Sequence, residues 1–182
     1  QSTWQVVRMQ PPEFHQLSLS ELSGVPIITL NRPDKLNALN SGLFLEIRTA
    51  VEWLDENAES RSVVLTGEGR GFIAGADLSE YAESGAEEFE RFQELGETVY
   101  DAIRESSQVV VAAVNGFALG GGMEMVLACD VSFASDRSKF GLPEIGVALL
   151  PGGGGTAFLK SGFPRSVVKD LILSGRMLRA EE

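Results

Sequence analysis

The sequence predicts an α/β protein wound as a spiral of repeated ββα units with flanking helices. Hydrophobic strand, glycine turn and helix recur over residues 25–65, 62–105, 109–129 and 131–160. The spacing is too uneven for a solenoid of identical repeats. No linker divides the chain, so residues 1–182 are expected to form a single domain, large enough for a core without disulfides or metal.

The elements follow in order. His15 to Leu22 alternates like a half-buried strand, Ser23-Gly24 turns it, and Val25 to Leu30 supplies the second strand of a hairpin. Pro26 points to an edge or first-residue position. Residues 31–37 read as loop. A helix starts from a cap at Asn40 or Ser41, and Leu43, Ile47, Val51 and Leu54 form its buried stripe. Ser62 to Thr66 is a short strand ended by the turn Gly67 to Gly71. Phe72 to Leu78 leads into a polar segment to Glu87, and a second helix runs from about Ala86 to Ser106. Its Phe89, Phe92, Val99 and Ile103 read as core rather than as a ligand box.

Val109 to Asp130 organises the rest. Val109 to Val114 is an apolar run suited to a strand buried on both faces. Asn115-Gly116 breaks it, and Gly120-Gly121-Gly122 leads into the helix-forming Met123 to Ala128. A glycine turn at a helix start leaves backbone N–H groups unpaired, and a ligand oxygen can approach them closely. Glu124 lies in the first turn of that helix, so an acid/base group and an anion-binding backbone are built together. A dipole-stabilised surface glutamate on a glycine-rich turn is the plainer reading of the same stretch. Further on, Val131 to Ala134 is a strand and Ser138 to Gly141 continues the sheet layer. A second glycine run at 152–155 precedes a helix near Thr156, and a last helix spans Arg165 to Leu173, ended by Ser174-Gly175.

Composition removes several functions. The formal charge of −11 opposes a nucleic-acid surface. No apolar run approaches the 18 or so residues of a membrane span, and no signal peptide is visible, so a cytoplasmic location is expected. Cys129 is alone among apolar neighbours, which suits an inert core thiol. With His15 as the single histidine, acid/base chemistry falls to carboxylates. Dinucleotide, P-loop and nucleophile-elbow motifs are absent.

Four features have the type and position for catalysis. Glu124 follows a glycine run, and Glu144 follows Gly141-Leu142-Pro143 at a rigid corner. Ala76 and Gly121 each occupy a small-residue turn after a strand. Two carboxylates can hold one water, one taking its proton while the other delivers a proton elsewhere. Two backbone donors can hold a carbonyl oxygen as it gains charge. Spacing alone makes this a permissible constellation, no more.

These residues resemble the crotonase superfamily, the enoyl-CoA hydratases and isomerases. The resemblance rests on Asn31-Arg32-Pro33 with Leu36 to Leu39, and on Phe72 with Ala74 to Leu78. It continues through Ala113 to Gly116 with Ala118 to Glu124, Cys129-Asp130, Phe140 to Glu144, and Pro151-Gly152 with Gly154 to Thr156. In this order the stretches are specific and cover nearly the whole chain. The resemblance implies a crotonase-like spiral, assembled as a homotrimer or dimer of trimers. Relatives continue into a further helical region that this chain does not include. It implies an acyl-CoA thioester substrate, coenzyme A being part of the substrate, with no separate cofactor and no metal.

Residue by residue, the resemblance implies that the N–H groups of Ala76 and Gly121 hold the thioester oxygen. Glu144 would give a proton to C2, and Glu124 would activate the water attacking C3. Gly152 would bring backbone close to that water, beside Gly120. Coenzyme A would run along Lys35, Leu36 and Ala38 and against Ala74, Ala76, Asp77 and Leu78; Lys35 reads equally well as a solvated lysine. Two departures stand out. Val147-Ala148 replaces a position that is often glycine, and Thr156 to Leu159 lacks the usual Gln-Arg pair. The expected activity is reversible hydration of a 2-trans-enoyl-CoA. A Δ3,Δ2-enoyl-CoA isomerase is the near rival, and a non-catalytic acyl-CoA-binding subunit is the rival from another class.

Overall fold

The computed structural model describes residues 10–81 and 85–182. The polar segment expected to reach Glu87 therefore lies partly outside the described residues. β1 (Leu17–Leu22) and β2 (Val25–Leu30) form the antiparallel hairpin, with Leu17 opposite Leu30 and Leu22 opposite Val25. β2 is not an edge: it also pairs in parallel with β3 (Ser62–Gly67), beginning at Ile27. Pro26 is tolerated because it lies just before that parallel pairing starts.

Between β2 and β3 comes α1 (Ser41–Asn57). The Asn40 side chain caps it by accepting the Leu43 N–H at 2.7 Å. Leu43, Ile47, Val51 and Leu54 are all buried, joined by Phe44 and Ala50. Burying side chains of this size stabilises by roughly 1.5–3 kcal/mol each, and Ile47→Ala would cost roughly 2–5 kcal/mol.

The expected ββα spiral is present, with one refinement. Each turn after the β1–β2 hairpin gives its first strand to one sheet and its second to another. β3 is followed by β4 (Gly71–Ile73), the short α2 (Leu78–Tyr81) and α3 (Ala86–Glu105). β5 (Val109–Val114) is followed by β6 (Phe117–Leu119) and α4 (Gly121–Ala128). β7 (Val131–Ala134) is followed by β8 (Lys139–Gly141) and α5 (Gly155–Gly162). Phe117–Leu119, which reads in sequence as part of a glycine turn, is thus a strand, and β8 belongs to the second sheet instead of continuing the layer of β7. The first sheet has the order β1-β2-β3-β5-β7. The second has the order β4-β6-β8-β9, where β9 (Leu178–Arg179) follows α6 (Arg165–Ser174).

The main core fills the space where the first sheet and β4 meet α1 and α3; Ile28, Ile47, Val63, Phe72 and Val99 are fully buried there. A smaller cluster of Met123, Leu142, Leu159 and Leu171 joins α4, α5 and α6. Cys129 packs against the core, and burial with Asp130 alongside pushes its thiol up to about 12. It is unreactive at neutral pH. No helix among the described residues is long and apolar enough to cross a membrane.

This winding brings three loops to one end of the second sheet: those after β4, after β6 and after β8. Sequence-distant turns thereby become neighbours, and the site lies among them.

Candidate active site

Two glycine turns set the backbone donors. Gly75 and Gly120 have φ of +114° and +53°, values that favour glycine, and each immediately precedes a proposed donor, Ala76 or Gly121. The turns face each other: a Cβ on Gly120 would stand 3.7 Å from the Gly75 Cα. The Gly75 carbonyl accepts the Leu39 N–H at 2.8 Å, and in a trans peptide the following N–H points the opposite way. Neither the Ala76 nor the Gly121 N–H has an acceptor among the described residues. Tyr100 donates its hydroxyl to the Gly121 carbonyl at 3.3 Å.

Glu124 lies one helical turn on, because α4 begins at Gly121 and Gly122 packs directly on Ile73 of β4. It is 3% exposed. Its Oε1 accepts N–H groups from Gly153 and Gly155, both at 2.8 Å. Burial raises its pKa, and the charge of Glu144 adds to the rise. The Gly155 and Gly153 amides oppose it, leaving the carboxyl at about 7.

Glu144 is held by the 3-10 turn Pro143–Val147. Its Oε1 lies 2.9 Å from where a Gly120 Cβ would be, and its Oε2 is buried without a hydrogen-bond partner. Burial raises its pKa as well. A buried orphan oxygen beside two unpaired amides is a place for a proton or a ligand.

One cavity of about 350 Å³ joins these groups. Glu124, Glu144, Ala76 and Gly121 wall it, as do Ala74, Leu78, Gly120 and Gly152. Phe89 and Phe92 also face it, so that aromatic pair lines the ligand space; Phe92 does so while also belonging to the core. Phe92 and Tyr100 pack on Phe44, at 5.0 and 6.1 Å between ring centroids. Lys35, Leu36 and Ala38 lie outside the wall on the adjoining loop, stitched to it by the Ala74 N–H donating to Leu36 O at 3.1 Å. Lys35 is exposed. Asp77 does not wall the cavity: its carboxylate meets Arg32 Nη2 at 2.8 Å and accepts the Ser79 hydroxyl at 2.6 Å.

Sequence reasoning missed Gly153 and Gly155, whose amides hold Glu124, although the glycine run was visible. It also passed over Tyr100, Phe44 and the partner of Asp77. Nothing local marks those pairings.

A spiral with two opposed amide donors and a carboxylate pair defines the crotonase fold, and comparison with known proteins agrees. The family model described as enoyl-CoA hydratase/isomerase matches residues 20–182. The chain is 39% identical to a short-chain-enoyl-CoA hydratase of Clostridium acetobutylicum, over 93% of this chain and 66% of that protein. It is 36% identical to a 2,3-dehydroadipyl-CoA hydratase of Escherichia coli, covering 92% of this chain and 65% of that protein. The crystal structure of an enoyl-CoA hydratase from Bacillus anthracis superposes with a TM-score of 0.89 at 36% identity, over 92% of this chain and 66% of that one. The chain belongs to the enoyl-CoA hydratase/isomerase family. It spans about two thirds of the length of these relatives.

Proposed function

We propose that the protein is an enoyl-CoA hydratase, adding water across the double bond of a 2-trans-enoyl-CoA to give a 3-hydroxyacyl-CoA. The observation that carries this reading is the presence of both glutamates and both free amides in one cavity. Glu124, fixed by two N–H groups through Oε1, has Oε2 left to take a proton from water as its oxygen bonds to C3. The C2–C3 π electrons move toward the thioester, and charge gathers on its oxygen between the Ala76 and Gly121 N–H groups. Losing one such donor typically costs about 3 kcal/mol. Protonated Glu144 then gives its proton to C2, and the C2–H bond completes the addition. The proton taken from water stays on Glu124, so the next turnover follows its passage to solvent or to Glu144.

Burial leaves Glu124 at about 7, near enough to neutrality to take and release a proton, and it raises the pKa of Glu144 as well. The family likeness supports a coenzyme A path along Lys35, Leu36 and Ala38, with the acyl end entering beside Leu78. It likewise supports a cytoplasmic homotrimer or dimer of trimers, which sedimentation equilibrium of the intact protein tests.

The activity test follows the loss of conjugated-thioester absorbance of crotonyl-CoA. Hydration by wild type upholds the reading. Binding without hydration redirects it to an isomerase, and neither binding nor reaction refutes it.

A further inference from the structure

We infer that the Arg32–Asp77 ion pair is a positioning device for the oxyanion donor Ala76, and that Asp77 is not a contact for coenzyme A. The inference rests on the acyl-thioester reading of the cavity.

Asp77 directly follows Ala76, and the direction of the Ala76 N–H depends on how residues 75–77 are held from behind. Two backbone bonds do this: Leu39 N–H to Gly75 O at 2.8 Å and Asp77 N–H to Leu39 O at 2.7 Å. Both run to Leu39, so the donor is only as fixed as the 38–39 segment. Arg32 ties the two strands of this contact together. One guanidinium nitrogen donates to the Ala38 carbonyl, and the other donates to Asp77 Oδ2 at 2.8 Å. A lysine, with a single ammonium, does not present that planar fork.

Arg32 is itself anchored. Its N–H donates to Asn37 Oδ1 at 2.8 Å, and Asn37, fully buried, donates to the carbonyls of Glu68 and Gly71. Those carbonyls flank the turn between β3 and β4, so the clamp is connected to the sheet. The opposite oxygen of Asp77 accepts the Ser79 hydroxyl and N–H at the start of α2. Ser79 and Arg32 together hold the Asp77 carboxyl down at about 2, so the pair is charged throughout the working range. With side chains only 17% and 10% exposed, removing one partner leaves the other charged and poorly solvated.

Among the described residues, the Gly121 donor has no such ion pair. Its carbonyl side is held by α4 and the Tyr100 hydroxyl. Loosening Arg32–Asp77 is therefore expected to disturb one donor of the two.

The test uses intact protein as wild type, Asp77→Asn, Arg32→Gln and Arg32→Lys. Butyryl-CoA carrying 13C at the thioester carbonyl is the probe; it has no double bond to hydrate, so its infrared band reports the donors alone. On binding to wild type the carbonyl band is expected to move to lower frequency. In Asp77→Asn and Arg32→Gln roughly half of that displacement should be lost, with Arg32→Lys between them and wild type. With crotonyl-CoA, kcat is expected to fall about ten- to a hundredfold while KM stays within about threefold. Should Asp77→Asn not fold, the Arg32 pair of variants carries the same readout.

An unchanged bound carbonyl band in a folded variant overturns the inference. So does a rise in KM with kcat retained, the signature of a coenzyme A contact. A wild type that shifts the carbonyl of butyryl-CoA yet leaves crotonyl-CoA unhydrated refutes the hydratase reading alone. A wild type that binds no thioester removes both.

Discussion

Glu124 and Glu144 face the same cavity and are held in opposite ways. Glu124 is almost fully buried, and one of its oxygens is fixed by the Gly153 and Gly155 amides. Glu144 stands on a short 3-10 turn with one oxygen unpaired. The first arrangement suits a base that must present one lone pair to a water in a fixed place. The second suits an acid whose protonated oxygen must follow C2 as it changes hybridisation. Pairing to the backbone costs Glu124 freedom and gives it aim; Glu144 keeps the freedom. In the proposed reaction, two identical side chains acquire different duties from their surroundings.

The comparison is broken most severely by neutralising either acid. Glu124→Gln and Glu144→Gln are each expected to lower kcat for crotonyl-CoA by about 10²–10⁴, with thioester binding retained, as equilibrium titration would show.

A smaller effect separates the two tethers. A Cβ on Gly153 would lie 2.2 Å from Tyr100 Cε2 and 2.7 Å from Glu124 Oε2, so Gly153→Ala must displace the amide that aims Glu124. Steady-state kinetics should show kcat falling about 10²-fold, the scale of a 1 Å misplacement. Gly146→Ala, on the Glu144 turn, meets no atom within 4 Å and should leave kcat within about twofold.

Stability against pH sharpens the contrast further. The folded pKa of Glu124, about 7, lies above its ordinary value of 4.5. The folded state therefore holds the proton more tightly than the unfolded chain. Stability from this group is fully present below about pH 4.5 and is lost as pH rises toward 7. The loss is on the order of 3 kcal/mol. Urea titrations across that range should show the decline in wild type and a smaller one in Glu124→Gln, where only the raised Glu144 carboxyl still contributes.

The mildest expectation concerns Ala148, which closes the Glu144 turn with φ of +58°. Ala148→Gly should relieve about 1 kcal/mol of backbone strain and raise the thermal midpoint by roughly 2–4 °C.

Much of this site was legible in the chain. Small residues after strands marked Ala76 and Gly121, and a proline corner and a helix start marked Glu144 and Glu124. The stripe of Leu43, Ile47, Val51 and Leu54 reported its burial directly, since periodicity encodes a face. The rest depended on partners distant in sequence. β6 is three residues between two glycine signals, too short for alternation to register; it is a strand because β4 and β8 lie on either side of it. Phe89 and Phe92 carry the helical spacing of core residues, and only the opening beside Gly121 turns them into cavity wall. The Ala148 departure was visible in sequence, but its meaning, a left-handed backbone position, was not. Asp77 reads as part of a binding loop because its neighbours Ala76 and Leu78 wall the cavity, while its ion pair with Arg32 is a tertiary fact.

The division of labour between the acids is tested most directly by exchange of the C2 hydrogens of butyryl-CoA in D2O, followed by NMR. That exchange needs the oxyanion donors and the group that serves C2, but no water addition. Glu144→Gln should abolish it, whereas Glu124→Gln should retain a substantial fraction of the wild-type rate. Loss of exchange in Glu124→Gln with retention in Glu144→Gln would contradict the assignment.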